Sequence, residues 1–337
     1  MDDIEKTVAL GPESSGPESG FGKCPVCGGA FAPDPEHPDR LRCSACRFSQ
    51  QQPEQIAPGR VVGGKFRVLS PLGSGGNGDL FFCHPVGDSG LRYVLKVMKG
   101  ASPVAQKRFR REAQILAAVR NNTRIARVID YGELGSGIYI VMEYVNGKNL
   151  RQIRKEYDCD EYFALQIARE TALALKDIWE ECEVVHRDVK PENIMVDENF
   201  RLKLLDFGLS KSWGGAVGES DITMEHSALG TPGYMSPEQF LDFKHADFRS
   251  DIFSLGATIF FMINGEKPFD GDDAAAVYRN TLANSPPPHV RYDGRCSLEC
   301  MFLIDRMMQR DPMMRYNSYD QLIAAIDEVM AQAPGQG

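Results

Sequence analysis

Hydrophobic and polar positions follow different periods in the two halves of the chain. Short runs rich in β-branched and aromatic residues recur up to about residue 144, which is typical of strands; examples are Phe66–Leu69, Leu80–Cys83, Tyr93–Met98 and Ile138–Met142. One helix-like segment, Val104–Arg120, interrupts them. After Asn149 the apolar residues recur at helical spacing, as in Tyr162–Glu180 and Asp251–Ile263. The pattern therefore predicts an α+β fold, with a small sheet-rich lobe before a larger helical lobe.

Changes in composition predict where this domain begins and ends. Residues 1–20 are rich in Gly, Ser, Pro and Glu and bury too little apolar surface to fold, so we expect a disordered leader. Residues 21–50 contain paired cysteines, and the polar residues 51–59, with two prolines, have the composition of a linker. The main domain is expected over residues 60–330, and residues 331–337 are expected to form a frayed tail.

The net charge and the number of cysteines indicate which partners and which cellular compartment to expect. A formal net charge of −9 argues against general affinity for nucleic acid or anionic membrane. No apolar run approaches the roughly 20 residues of a membrane span, and no basic stretch of a signal peptide opens the chain. Nine cysteines, clustered and odd in number, do not fit a secreted disulfide framework. These features predict a cytoplasmic protein.

Two Cys-x-x-Cys pairs near the N-terminus predict a metal site. Fifteen residues separate Cys24-Pro-Val-Cys27 from Cys43-Ser-Ala-Cys46. Each pair can turn two thiolates toward one point, and four thiolates in a tetrahedron suit Zn²⁺. A unit of about thirty residues has little core of its own, so the metal would supply much of its stability. A structural zinc ribbon is predicted; redox-active thiol pairs and a rubredoxin-like iron site are the alternatives.

The charge of the ribbon bears on its partner. Residues 21–50 carry four basic and three acidic side chains, which is a weak electrostatic footprint for nucleic acid. A structural or protein-binding role is favoured over a nucleic-acid adaptor. His37 lies between the cysteine pairs and is more typical of a solvated loop than of a fifth ligand.

A glycine-rich segment lies between two predicted strands. It reads Leu72-Gly73-Ser-Gly75-Gly-Asn-Gly78-Asp-Leu80. Glycines let the backbone close over phosphate oxygens and point N–H groups at them. Alone, the pattern fits a flexible hairpin or a dinucleotide-binding fingerprint equally well. The fingerprint should open a helix, but a predicted strand follows, which disfavours a dehydrogenase.

A lysine on the next predicted strand has two interpretations. Lys96 is flanked by apolar Leu95 and Val97, so it lies either on a solvated face or in a cleft. Glu112 follows sixteen residues later in the helix-like segment. An ion pair between Lys96 and Glu112 would hold the ammonium over nucleotide phosphates. The alternative is that Glu112 is a surface residue among neighbouring arginines.

The run His186-Arg187-Asp188-Val-Lys190-Pro-Glu-Asn193 carries the most specific chemistry. Eighteen residues after Asp188 stands Asp206, in Asp206-Phe-Gly208. Two carboxylates and one amide are the groups that metal-assisted phosphoryl transfer needs. One carboxylate accepts the hydroxyl proton, and the other, with the amide oxygen, holds Mg²⁺ on the phosphates.

With Ser236-Pro-Glu238, these motifs stand in the order of the protein kinase family, which the chain closely resembles from about residue 60 to 330. The resemblance implies a bilobal protein kinase fold after the ribbon, with ATP and Mg²⁺ (or Mn²⁺) as cofactors. It also implies protein substrates with Ser or Thr acceptors. The Lys190–Asn193 continuation is similar to serine/threonine kinases, and Gly230–Glu238 resembles the bacterial branch of eukaryotic-like kinases.

The resemblance also implies roles for single residues. Asp188 would be the catalytic base, Lys190 would assist at the transferred phosphate, and Asn193 and Asp206 would hold magnesium. Nucleotide binding would fall to Leu72, Gly73, Gly75, Gly78, Leu80, Val94, Lys96 (paired with Glu112) and the hinge Glu143–Val145, with Met142 as gatekeeper. Asp251 and Arg315 would brace the catalytic loop and Glu238.

Regulation and a rival function follow from the same resemblance. Arg187 before the catalytic aspartate suggests control by phosphorylation of the activation loop, at Thr223 or Ser227, whereas Thr231 would position the substrate. The alternative is that these hydroxyls only keep the loop soluble. A pseudokinase or scaffold is the rival function. It would be favoured by loss of Lys96, Asp188 or Asp206, and the sequence retains all three.

Overall fold

The structure is a computed structural model. It describes residues 24, 27, 29–36, 40–46, 49–51, 56–75, 78–98, 110, 113–114, 116–117, 119, 122–135, 137–206, 232–242, 246–283 and 294–332. The predicted leader, Glu112, and the activation-loop residues Thr223, Ser227 and Thr231 lie outside the described residues. The chain divides into two compact units, Met1–Gln55 and Ile56–Gly337.

The first unit contains a three-stranded antiparallel sheet. Its strands are β1 (Phe31–Pro33), β2 (Arg40–Cys43) and β3 (Ser49–Gln51), in the order β1-β2-β3. The described part of its core is small: Phe31 and Leu41 pack with the buried cysteines Cys24 and Cys43. So little buried apolar surface contributes little stability to a unit of this size.

The second unit begins with a six-stranded antiparallel sheet, the N-terminal lobe. Its strands are β4 (Val61–Val62), β5 (Phe66–Gly75), β6 (Gly78–Pro85), β7 (Tyr93–Met98), β8 (Val128–Leu134) and β9 (Gly137–Glu143), in the order β4-β5-β6-β7-β9-β8. Successive side chains alternate between the two faces of a strand. On β7, Leu95 and Val97 pack into the core of one face. Lys96 therefore lies on the opposite face, beside Leu80 and Ile140 of the neighbouring strands.

The helix-like segment Val104–Arg120 is described in part. Within it, Arg110, Ala113, Gln114, Leu116 and Ala117 are helical. Ala113 and Leu116 are buried in the larger of the two cores of this unit.

The C-terminal lobe is helical. Its helices are α1 (Leu150–Glu156), α2 (Glu161–Cys182), α3 (Pro237–Leu241), α4 (Phe248–Asn264), α5 (Ala274–Leu282), α6 (Leu298–Met307) and α7 (Tyr319–Gln332), with 3-10 turns at Pro191–Asn193, Pro232–Tyr234 and Pro312–Met314. The helix predicted over Tyr162–Glu180 is α2, which starts at an Asp160 cap. The helix predicted over Asp251–Ile263 is α4, which is buried along most of its length and ends at Gly265 with a left-handed φ of 80°. None of the described helices is both long and apolar enough to cross a membrane.

The helical lobe also contains a small three-stranded sheet, which lies next to the predicted magnesium ligands. It comprises β10 (Gly147–Asn149), β11 (Ile194–Asp197) and β12 (Leu202–Leu204), paired antiparallel in that order. Asn193 directly precedes β11, and Asp206 follows β12 by two residues. Because β11 and β12 are neighbours, the two predicted magnesium ligands start and end the same hairpin.

Candidate active site

The glycine-rich segment forms the hairpin between β5 and β6. Gly73 pairs with Leu80, and Gly75 pairs with Gly78. Gly78 has a φ of 113°, and a Cβ there would lie 2.4 Å from the Val97 carbonyl oxygen, so only glycine fits. A strand follows the glycines, as the sequence predicted, so the dinucleotide-binding alternative is wrong.

Residues that the sequence predicted to contact the nucleotide lie on the same face of the sheet as Lys96. Leu80 is opposite Lys96, and Val94 is opposite Met142, so all four side chains share one face. The Lys96 side chain is only 6% exposed and lies 2.9 Å from the Asp206 carboxylate. The solvated-face interpretation of Lys96 is therefore wrong, because the ammonium is buried and paired.

The contact between Lys96 and Asp206 was not foreseen from the sequence. The predicted partner of Lys96, Glu112, lies outside the described residues. The Asp206 backbone has a left-handed φ of 49°, a strained conformation for a residue with a side chain. The pair joins the sheet-rich lobe to the end of β12.

The catalytic-loop motif places its polar groups around Asp188. Asn193 donates its amide Nδ2–H to the Asp188 carboxylate at 2.9 Å and to the Asp188 backbone carbonyl at 2.8 Å. Lys190 Nζ lies 2.9 Å from the same carboxylate. All three residues are buried. The Asp188 carboxylate is thereby held in one orientation.

Two further residues fix the backbone of this loop. The Asp251 carboxylate accepts the N–H groups of His186 and Arg187, both at 2.7 Å. Arg187 has a left-handed φ of 64°, and these hydrogen bonds hold that strained conformation in place. Asp251 thus contacts the loop where the sequence predicted a brace.

His186 was part of the motif but had no predicted role. Its Nδ1 accepts the Asp188 N–H at 3.2 Å, and its Nε2 lies 2.8 Å from the Leu205 carbonyl oxygen. Both contacts are satisfied by a neutral ring protonated on Nε2. His186 therefore links the catalytic loop to the residue before Asp206. Its position beside Arg187-Asp188 was the only signal for this in the sequence.

The predicted hinge follows β9. Met142 and Val145 are buried. Among the described residues, none hydrogen-bonds to the backbone N–H or carbonyl of Val145, which leaves both groups for an adenine ring. Tyr144 points elsewhere: its ring packs edge-on against Phe82, with ring centroids 5.3 Å apart.

The residues at the site fit ATP and a magnesium ion. Both donated contacts of the Asn193 amide nitrogen go to Asp188, so the amide oxygen remains as a cation ligand. Asp206 offers a carboxylate beside it in the same hairpin, and hard oxygen ligands suit Mg²⁺. Lys96 supplies a buried positive charge for phosphate oxygens.

The four ribbon cysteines form a separate cluster in the first unit. Their sulfurs all lie within 4.8 Å of one another. Cys24 Sγ lies 3.7 Å from Cys46 Sγ, and Cys27 Sγ lies 3.5 Å from Cys43 Sγ. Four thiolates around zinc at about 2.3 Å would be about 3.8 Å apart, close to these distances. The backbone N–H of Cys46, more than any other group, lowers the pKa of the Cys43 thiol to about 6, which favours the thiolate that a metal binds.

Fold and site together define a two-lobed domain that carries phosphoryl-transfer motifs, and comparison with known proteins identifies its family. Residues 66–327 match the protein kinase domain. Serine/threonine-protein kinase pkn2 of Myxococcus xanthus is 33% identical over 290 residues, which cover 82% of this chain and 34% of that protein. Serine/threonine-protein kinase A of Synechocystis sp. is 32% identical over 291 residues, which cover 81% of this chain and 54% of that protein.

A third serine/threonine-protein kinase is similar to this chain at about the same level of identity. Serine/threonine-protein kinase PknB of Mycobacterium leprae is 33% identical over 248 residues, 72% of this chain and 39% of that protein. The matched region thus amounts to between 34% and 54% of the length of these relatives. The chain belongs to the protein kinase family.

Proposed function

We propose that the chain is a protein serine/threonine kinase, which transfers the γ-phosphoryl group of ATP to Ser or Thr hydroxyls of protein substrates. The observation that carries the proposal is the convergence on Asp188: Asn193 and Lys190 both contact its carboxylate at 2.9 Å. An anion held in this way can accept the hydroxyl proton of a substrate as the phosphorus–oxygen bond forms. A pseudokinase would not need this arrangement.

The other residues of the site would position the nucleotide. Magnesium held by Asp206 and the Asn193 oxygen would neutralise charge on the phosphates. Lys96 would bind phosphate oxygens, and the glycine hairpin would cover them with its N–H groups. The backbone of Glu143 and Val145 would read the adenine edge. Lys190 would stabilise charge on the transferred group.

The test is transfer of labelled γ-phosphate from ATP to the chain itself or to myelin basic protein. We expect Mg²⁺-dependent labelling that is stable to acid, as phosphoserine and phosphothreonine are, and that chelation by EDTA abolishes. The chain carrying Asp188→Asn serves as the control for contaminating kinases. A folded protein that binds nucleotide but labels nothing would be a scaffold, and the proposal would be wrong.

Control by phosphorylation of the activation loop stays part of this proposal. Its acceptors, Thr223 or Ser227, lie outside the described residues. Arg187, which would bind the phosphate, lies within them and next to the catalytic base.

We further propose that the cysteine cluster binds one structural Zn²⁺ and that the ribbon docks a protein partner. Two kinds of observation support the metal: the spacing of the sulfurs and the small core of the unit. The cluster also implies a reducing compartment such as the cytoplasm, because thiolates must stay reduced to hold zinc. The near balance of charge in residues 21–50 supports a protein partner over nucleic acid.

Metal analysis of the purified chain tests the zinc site. We expect one zinc per chain, lost in Cys43→Ser, because three thiolates leave the tetrahedron open. Cys159→Ser is the matched control, since Cys159 lies in the helical lobe, outside the cluster. Iron in place of zinc, or no metal in protein purified under reducing conditions, would contradict the assignment.

A further inference from the structure

The Glu143 side chain makes contacts that reading adenine does not require. Its carboxylate lies 2.9 Å from Lys203 Nζ through Oε1 and 3.1 Å through Oε2. Oε2 also accepts the backbone N–H of Arg127 at 3.1 Å. In return, the Glu143 N–H donates to the Arg127 carbonyl at 2.9 Å. Both the backbone and the side chain of Glu143, the last residue of β9, are therefore held by hydrogen bonds.

Lys203 belongs to the strand that leads to Asp206. It is the middle residue of β12, between buried Leu202 and Leu204. Leu204 donates its N–H to the Arg124 carbonyl at 2.7 Å and accepts the Ala126 N–H at 3.0 Å. The strand therefore packs against the same segment, residues 124–127, that holds Glu143.

The ion pair is shielded more than a pair on an open surface. The Lys203 side chain is 15% exposed and the Glu143 side chain 30%. Reduced solvent screening strengthens the attraction, and the two short contacts restrict both side chains. Two parts of the chain that are distant in sequence meet here: the β8–β9 hairpin, through residues 127 and 143, and β12, through residue 203. A pair that only kept the surface soluble would not need this convergence.

We propose that Lys203 and the Glu143 carboxylate form a hinge pair, a positioning device that sets the adenine-reading backbone relative to Asp206. The proposal rests on the kinase function proposed above. Neither side-chain group touches the reacting atoms. By fixing β9 against β12, the pair holds the adenine site and the magnesium site in register before the nucleotide arrives. Such preorganisation strengthens binding because less ordering remains to be done on association.

The test compares nucleotide and protein-substrate binding in three variants. Lys203→Met keeps the length of the stem and removes the charge, Lys203→Arg keeps a cation, and Glu143→Gln keeps an acceptor for Arg127. Lys176→Met is the matched control, because Lys176 pairs with Asp320 on α7, away from the hinge. The measurements are the Kd of a fluorescent ADP with Mg²⁺, the KM values for ATP and for myelin basic protein, and the melting temperature.

We expect Lys203→Met to weaken ADP binding on the order of fivefold and to raise the KM for ATP by a similar factor. The KM for myelin basic protein should stay unchanged, and Lys203→Arg should restore most of the nucleotide affinity. Combining Lys203→Met with Glu143→Gln should cost little more than Lys203→Met alone, because both changes remove the same contact. Lys176→Met should leave nucleotide affinity unchanged.

Two results would overturn the proposal. One is a lower melting temperature in Lys203→Met with unchanged ADP affinity, which would make the pair structural only. The other is a higher kcat with unchanged affinity, which would make it a restraint on the hinge. Failure of the proposed kinase function would be a separate result, seen as no phosphate transfer by the unaltered chain. In that case the ADP affinities of the variants would still test the role of the hinge pair.

Discussion

Replacing Asp188 by asparagine is expected to slow phosphoryl transfer by about 10²–10⁴-fold, the usual contribution of a general base. Asparagine has the size of aspartate, and its oxygen can still accept the Asn193 amide N–H that Asp188 accepts at 2.9 Å. The local fold should therefore persist. The neutral amide has no lone pair basic enough to accept the substrate hydroxyl proton. The decrease in rate should therefore occur in the chemical step.

The measurement separates binding from chemistry. The Kd of a fluorescent ADP with Mg²⁺ should change little, whereas the single-turnover rate of labelled phosphate transfer should fall. Asp320→Asn is the matched control, since it makes the same change to an exposed aspartate on α7 and should leave the rate unaltered. Full activity in Asp188→Asn would remove Asp188 from the role of base. Loss of ADP binding together with activity would show that Asp188 mainly maintains the site.

Much of this site could be predicted from the sequence because its chemistry is local. Asp188, Lys190 and Asn193 lie within six residues, so one loop places them together. The face occupied by Lys96 also follows from local pattern: its neighbours Leu95 and Val97 are apolar and alternate with it along a strand. Similarly, helix α4 was predicted from the helical spacing of its apolar residues and extends only a few residues beyond the predicted Asp251–Ile263.

Contacts between distant segments could not be predicted in the same way. The pairs Lys96–Asp206 and Glu143–Lys203 join residues 110 and 60 positions apart in the sequence. No periodicity encodes such pairs, because they depend on how β7, β9 and β12 are brought together in the fold. Strand β8 was also missed. It is one of the two edge strands of its sheet, and its sequence, Val-Ile-Asp-Tyr-Gly-Glu-Leu, lacks a clean alternation of apolar and polar residues.

The ion pair between Arg315 and Glu238 is a long-range contact that the family resemblance predicted, and its arginine is fully buried. Arg315 donates from Nη1 and Nη2 to the two carboxylate oxygens of Glu238 at 2.6 and 2.8 Å. The arginine side chain is 0% exposed, and that of the glutamate 21%. The guanidinium also lies 4.9 Å from the centre of the Phe253 ring. Burial alone would raise the pKa of Glu238, but the hydrogen bonds and charge of Arg315 outweigh it and lower that pKa.

Arg315→Met is therefore expected to lower the free energy of unfolding by about 3–5 kcal/mol, the cost of leaving one partner of a buried pair alone. Methionine fills much of the space but leaves the Glu238 carboxylate with the Ser250 hydroxyl as its remaining side-chain donor among the described residues. Denaturant unfolding followed by tryptophan fluorescence measures the loss, because one of the two tryptophans, Trp179, packs against Phe248 at the start of α4, in the same lobe.

Matched variants separate the charge from the packing. Adding Glu238→Gln to Arg315→Met should recover part of the stability, because the unpaired buried charge is then gone. Arg315→Lys should fall between the two, since an ammonium keeps the charge but lacks the planar fork that contacts both oxygens. Unfolding of Arg315→Met at the same denaturant concentration as the unaltered chain would contradict a stabilising role for the pair.

The pH dependence supplies an independent check on the same pair. Because the folded-state pKa of Glu238 is lowered, its ionised form stabilises the fold above the ordinary glutamate pKa of about 4.3, and this contribution is lost as the pH falls through the lower, folded-state value. In Arg315→Met, the unpaired and buried Glu238 is more readily protonated, so acid removes the cost of its charge. The stability difference between the two chains should therefore be largest near neutral pH, begin to narrow above about pH 4.3 as the variant's Glu238 takes up its proton, and narrow further below that pH. A difference that stayed constant through that range would attribute the loss to packing against Phe253 rather than to the ion pair.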